Sequence, residues 1–366
     1  MVKLVRKYIH IYQCKPGDIL ADDIYDECGM LIVSKDDVIN EQVIMRLGIF
    51  RIRQLCVYDM QNEESTENVK NIGSIKNVDS IDRGESSLSE FKKGYSKDLN
   101  VMKQVFGDLA AGRKLDYGKI QCVSNSIYSK INNTCNIVEC MTEVKNIDEY
   151  IYTHSINVSM YALLLAKWLN LTEEETKDVV TSSILHDIGK SKIAGDILNK
   201  KGLLLPAEYE QIKRHAEIGY HISKDIPQLS DEIREGILMH HEREDGKGYP
   251  SGIKGDKINR YAKIISVADV YDALTSARVY KKRITPFDTF RELISIGYGY
   301  FDTKVLITFL SNISCYYIGS IVKMNSGETG KVVFIAPQNI SKPIVSVNGE
   351  YIDLSENKQF EIVEML

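Results

Sequence analysis

Between Leu88 and about Cys315 apolar residues recur at three- and four-residue steps, and strand signals are nearly absent. A stretch with that period buries its apolar face by packing helix on helix, so the expected fold is mainly α, with an all-helical core. Ile156, Met160, Leu163, Leu164 and Trp168 make one apolar stripe. Thr172 and Glu175 form a capping-box signature ahead of a helix ending near His186. Pro206 suits the first turn of a helix running toward His221, and Ser230 can cap one ending near His241. Arg260 to Ala277 reads as a further helix, with Ile264, Ile265, Ala268 and Leu274 facing inward.

The flanks follow another rule. Residues 1–60 carry short β-like runs, Leu31 to Val33 and Arg51 to Val57, around turn signals such as Pro16-Gly17-Asp18, with a helical piece near Asn40 to Leu47. They read as a β-rich N-terminal regulatory region. Residues 61–87 are polar with scattered single apolar residues, the composition of a linker or mobile loop. The helical domain is expected over 88–315. Over 316–366 Ile321 to Met324, Lys331 to Ile335 and Ile344 to Val347 predict a small C-terminal β region, with turns at Gly327, Gly330 and Asn348-Gly349.

Charge narrows the partners. A net charge of −5 and a pI near 5.9 argue against a polynucleotide binder, which carries a basic surface. No stretch has the length of a bilayer span, no signal peptide is visible, and the seven cysteines form no CxxC pair. A cytoplasmic chain with reduced thiols is expected.

Histidine carries the chemistry. Of seven histidines, six fall between His154 and His241. Imidazole with carboxylate suits first-row divalent ions such as iron, manganese or zinc. His186-Asp187 forms one pair. Neighbouring helical residues point about 100° apart, so both reach one site only at a helix terminus, or if the carboxylate bridges two ions. Lys190 lies one turn beyond His186 if the helix continues, where an ammonium can meet a phosphate. His240-His241 leads into Glu242 and the turn Asp245-Gly246-Lys247-Gly248-Tyr249-Pro250, whose glycines permit close backbone approach. His154 and His215, each alone, read as ordinary buried histidines. Asp269 sits inside the apolar run Ile264 to Leu274, where a buried carboxylate needs a partner. His10 and His221 have no such company.

The strings His186-Asp-Ile-Gly-Lys190, His240-His-Glu-Arg-Glu-Asp-Gly-Lys-Gly-Tyr-Pro250 and Ser266-Val-Ala-Asp-Val-Tyr-Asp-Ala-Leu-Thr275, with Phe301-Asp302, closely resemble the signatures of HD-GYP domains over roughly residues 95–315. The resemblance implies an HD-superfamily phosphodiesterase that opens cyclic di-GMP to pGpG, or onward to GMP, on two divalent ions, iron or manganese. It implies that His154, His186, Asp187 and Asp269 hold one ion. Asp187 would bridge to a second, held also by His215, His240 and His241. It makes Asp187 and Lys190 catalytic, and Lys190, Gly248, Tyr249, Pro250, Arg278 and Lys281 substrate-binding. Some members hold a third ion through a glutamate one turn before the first histidine. Here Tyr150 stands at that position, and Glu149 lies about 140° around a helix from His154, which favours two. Seven ligands with two formal negative charges leave a pair of dications positive, able to attract a phosphodiester. The competing reading is a cyclic di-GMP receptor that barely cleaves and signals through its flanks. A homodimer or a signalling-protein partner is left open.

Overall fold

A computed structural model of the chain describes residues 6–25, 31–40, 43–44, 47, 52, 54–58, 66–133, 137–144, 150–200, 202–276 and 284–366. The N-terminal region holds two antiparallel pairs: β1 (Arg6–His10) with β4 (Gln54–Tyr58), and β2 (Ile24–Tyr25) with β3 (Leu31–Val33). It has a core of its own, including Leu20, Ile32, Ile39, Leu47 and Leu55. Val43, Ile44 and Leu47 are helical, and the Asn40 side chain accepts from the Val43 amide as an N-cap does.

The polar segment expected as a linker is helical from Thr66 onward. Helix α1 (Thr66–Ala110) crosses the boundary placed at residue 88 without a break. Val69, Ile72, Ile75, Val78 and Ile81 recur every third residue there, a helical period hidden by the polar composition around it.

The helical domain continues with α2 (Tyr117–Asn133), α3 (Ile137–Val144), α4 (Tyr150–Trp168), α5 (Glu173–Leu185), α6 (Gly195–Leu198), α7 (Pro206–Lys213), α8 (His215–Lys224), α9 (Asp231–Met239), α10 (Arg260–Thr275), α11 (Pro286–Gly297) and α12 (Thr303–Ile313). Helix α4 is its axis: residues 153–166 are buried on every side, where the sequence suggested a single stripe. It packs against α1, α2, α5, α10 and α12. The Thr172–Glu175 capping box forms in both directions, at 2.8 and 3.2 Å, and Ser230 caps α9. The helix expected to run from Pro206 toward His221 is broken at Arg214 into α7 and α8. The helix read as Arg260 to Ala277 ends at Thr275; Ala277 lies outside the described residues.

The C-terminal region is an antiparallel sheet in the order β8-β7-β6-β5-β9, from β5 (Ile321–Met324), β6 (Thr329–Phe334), β7 (Ile344–Val347), β8 (Glu350–Asp353) and β9 (Ile362–Met365). Its inward residues Val322, Val332 and Val345 join the same core as the helices.

Candidate metal centre

Three helix ends and the middles of two helices meet at one point. His186 is the C-cap of α5, and the chain then tightens into a 3-10 turn over Ile188–Lys192 rather than continuing as α-helix. That break lets His186 and Asp187 face the same site. His240 is the C-cap of α9, with His241 next, and His215 opens α8 just beyond the end of α7. His154 comes from buried α4 and Asp269 from α10.

A helix C-terminus leaves carbonyls without intrahelical donors, and here they orient imidazoles. The Nδ1 of His186 donates to Ser183 O, that of His215 to Ile212 O and that of His240 to Ile237 O, each at 2.7 Å. A carbonyl only accepts, so each Nδ1 carries a proton and Nε2 is the ring atom turned toward the site.

The donor atoms form overlapping groups: His154, His186 and Asp269; His215, His240 and His241; and, joining them, His186, Asp187 and His240. Within each group one ligating atom per residue lies within 4.8 Å of the others. Asp187 faces both sides, with Oδ2 at 3.4 Å from His186 Nε2 and 3.7 Å from His154 Nε2, and Oδ1 at 3.4 Å from His215 Nε2. Lys190 Nζ lies 2.5 Å from Asp187 Oδ2.

These groups fit cations. The buried His186 Nε2 and Asp187 Oδ1 have no hydrogen-bond partner. The Nε2 atoms of His215 and His240 face each other at 3.1 Å while both Nδ1 protons are committed elsewhere. Two lone pairs so placed repel unless a positive charge lies between them.

Burial, with Lys190 adding to it and Asp187 opposing it, pushes His215 down to about 4, and burial pushes His241 down to about 3 although Asp269 opposes it. Burial opposes the charge of Asp187, yet the neighbouring Lys190 holds its carboxyl well below the usual range. Burial would also lower His154, but Asp269 and Asp272 raise it to about 9. The signs give a pH prediction for the metal-free chain. His215 and His241 accept protons more readily unfolded, so their contribution is present above about pH 6.5 and is lost as pH falls toward 4. His154 contributes below about 6.5 and loses that contribution as pH rises through about 9. The melting temperature of metal-free protein is therefore expected to peak near neutrality and drop on both sides. A flat acid limb from pH 6.5 to 4 in a calorimetric series would contradict the neutral histidines.

The loop after His241 forms one wall. Glu242, buried, accepts the amides of Ser251 and Gly252 on Oε1 at 2.7 and 3.1 Å. At Gly248 a Cβ would fall 2.5 Å from Glu242 Cα, so only glycine lets the loop fold back on itself. Tyr249 consequently stacks on His241, centroids 4.6 Å apart, and Lys213 Nζ lies 5.6 Å from the Tyr249 centroid and 5.0 Å from that of Tyr209. Pro250 follows in the same loop. The Phe301-Asp302 block braces it: Tyr300 O accepts from Glu244 N, and Asp302 shares Lys263 with Glu244.

Arg278, Lys281 and Glu149 lie outside the described residues. His221 is exposed on α8, away from the cluster. The sequence reading passed over Asp272 and Glu242. Asp272 is wholly buried one turn after Asp269 in the same apolar run, and the buried-carboxylate argument applied to Asp269 picks it out equally.

Comparison with known proteins comes to the same fold. A family model described as HD domain matches residues 141–305. A cyclic di-GMP phosphodiesterase of Pseudomonas aeruginosa is 32% identical over 243 residues, covering 66% of this chain and 58% of that protein. A 3'3'-cGAMP-specific phosphodiesterase of Vibrio cholerae is 34% identical over 154 residues, covering 42% of this chain and 30% of that protein. The chain thus spans less than two thirds of the length of either relative. A solved HDG"Y"P protein from Bdellovibrio bacteriovorus superposes with a TM-score of 0.51 at 16% identity, over 83% of this chain and 98% of that one. The same helical domain therefore emerges from motif, family match and superposition: residues 141–305 match the HD domain family, and the chain has the fold of the HDG"Y"P protein.

Proposed function

We propose that this chain hydrolyses a phosphodiester bond of a cyclic dinucleotide, cyclic di-GMP in the first place, opening it to linear pGpG. The observation that carries the reading is the pair of bare imidazole nitrogens of His215 and His240, 3.1 Å apart, set among five further ligand-type side chains. In this reading His154, His186, Asp187 and Asp269 hold one divalent ion, and Asp187, His215, His240 and His241 a second. Imidazole-rich donors with two carboxylates suit first-row divalent ions, and the resemblance to HD-GYP domains points to iron or manganese among them. Such a pair supplies Lewis acidity toward phosphoryl oxygens and an activated water at neutral pH.

The protein's own groups do the rest. Lys190 holds an ammonium beside Asp187, where charge on a phosphate develops. Tyr249, between His241 and Lys213, offers an aromatic face to a base, with Gly248 and Pro250 shaping the loop and Arg278 and Lys281 as further substrate contacts. The relatives' names support the substrate class: one is named for cyclic di-GMP, the other for 3'3'-cGAMP. A complete ligand set favours turnover over the receptor reading. A cytoplasmic setting is supported by free Cys14, Cys56, Cys122, Cys140 and Cys315, and no helix among the described residues is long and apolar enough to cross a membrane. The separate N-terminal core supports a regulatory role for that region.

The test is an anaerobic assay of the iron- or manganese-loaded chain, following cyclic di-GMP, 3'3'-cGAMP, pGpG and GMP by chromatography. Cyclic di-GMP should be consumed and pGpG should appear; a fully loaded protein that turns over neither dinucleotide would overturn the proposal. Lys190→Ala is expected to lower kcat about a hundredfold while KM moves only about threefold. The reverse pattern would make Lys190 a docking residue.

A further inference from the structure

His154 is held differently from the other ligand-type histidines. His186, His215 and His240 lean on a carbonyl three residues back in their own segment. The Nδ1 of His154 instead donates 2.9 Å to Asp272 Oδ2, a side chain on another helix. The hydrogen bonds do not stop there. Asp272 Oδ1 accepts from Asn157 Nδ2 at 3.1 Å and from Ser276 Oγ at 2.9 Å, and Asn157 Oδ1 accepts from the Tyr95 hydroxyl at 2.9 Å.

The direction of every bond follows from one charge. An ionised carboxylate only accepts, so Asn157 must turn its amide nitrogen toward Asp272 and its oxygen toward Tyr95, which must then donate. By the same logic His154 donates from Nδ1 to Asp272, and its Nε2 points at Asp269 Oδ1, 3.0 Å away. Tyr95, Asn157, Asp272 and His154 are all buried, so water does not compete for these bonds. Tyr95 belongs to α1, the helix that follows the N-terminal region, and the far end of α1 is tied to the site independently, because Lys192 Nζ donates to Leu109 O.

We propose that Asp272, Asn157 and Tyr95 form a positioning chain that presets His154 as a metal ligand and makes that ligand depend on the placement of helix α1. This rests on the reading of the centre as a two-ion site. The chain orients an imidazole and touches neither substrate nor reacting atoms. Positioning partners of this kind are worth about 10- to 100-fold in metal affinity.

The test is calorimetric titration of the metal-free full chain with Mn(II) alone, with far-UV circular dichroism as the check on helicity. The unaltered chain should take up two equivalents. Asp272→Asn keeps the shape but offers one acceptor oxygen where three donors need two, so one Mn(II) should weaken about 10- to 100-fold while the other keeps its affinity. Tyr95→Phe should weaken the same equivalent about three- to tenfold. Phe91→Leu is the packing control: Phe91 lies on α1, stacked on Tyr95 with centroids 6.1 Å apart, and makes none of these hydrogen bonds. The proposal is overturned if Asp272→Asn binds both ions with unaltered affinity, or if Tyr95→Phe weakens binding no more than Phe91→Leu. Should Asp272→Asn not fold, the Tyr95→Phe and Phe91→Leu comparison decides alone. Absence of Mn(II) uptake by the unaltered chain would instead remove the two-ion reading itself.

Discussion

Asp187→Ala is expected to abolish hydrolysis, by roughly a thousandfold or more in kcat, while the helices remain. The carboxylate stands between two imidazole groups, one oxygen toward His154 and His186 and the other toward His215. Asp269 Oδ1 lies 3.0 Å from His154 Nε2, on the first of these groups. Removing Asp187 leaves the neighbouring imidazoles without their shared anion, and it frees Lys190 from its 2.5 Å contact. If Asp187 holds both ions as proposed, metal content should fall together with activity. Circular dichroism should stay near that of the parent, since Asp187 belongs to a helix terminus and not to the apolar core. A variant that hydrolyses cyclic di-GMP at the parent rate would remove the bridging role.

Gly189→Ala is expected to be the most damaging single-carbon addition near the site. A Cβ there would lie 2.0 Å from the His215 carbonyl oxygen and 2.7 Å from the Gly219 nitrogen. Both are backbone atoms of α8 and cannot swing aside as a side-chain tip can. The helix must move as a body, and it carries His215. Overpacking of this kind costs about 3 kcal/mol, which for a domain of this size lowers Tm by roughly 6–12 °C. The displacement also pulls the His215 Nε2 out of its 3.1 Å register with His240, so metal affinity should fall as well. Gly219→Ala is milder, because its closest neighbour is the Ile237 Cγ2 methyl at 3.0 Å and not backbone at 2.0 Å. Differential scanning calorimetry of the two variants tests this order; equal melting temperatures would show that the turn and α8 give way more easily than close backbone packing implies.

The helical core was legible because its signals are local. A capping box, a proline at a first turn and apolar residues every third or fourth position all act within one element, and α5, α7 and α9 start where those signals stand. Polar composition misled over residues 66–87, where the chain is helical as part of α1. The break at Arg214 was not legible either. It serves the site, since it places His215 at the start of a new helix while the end of the old one supplies the carbonyl for its Nδ1.

The sequence pointed to a site through histidines crowded into one stretch and a carboxylate set in an apolar run, but the full ligand set, His154 and His215 included, came from the resemblance of the motifs to HD-GYP domains. What those side chains do to one another could not be read that way. That Asp187 faces two groups at once, that two lone pairs oppose each other at 3.1 Å, and that Asp272 governs His154 across 118 positions are matters of how separate helices pack. Spacing along a chain gives direction only within a single helix. Direction between helices is decided by the shapes that fill the core.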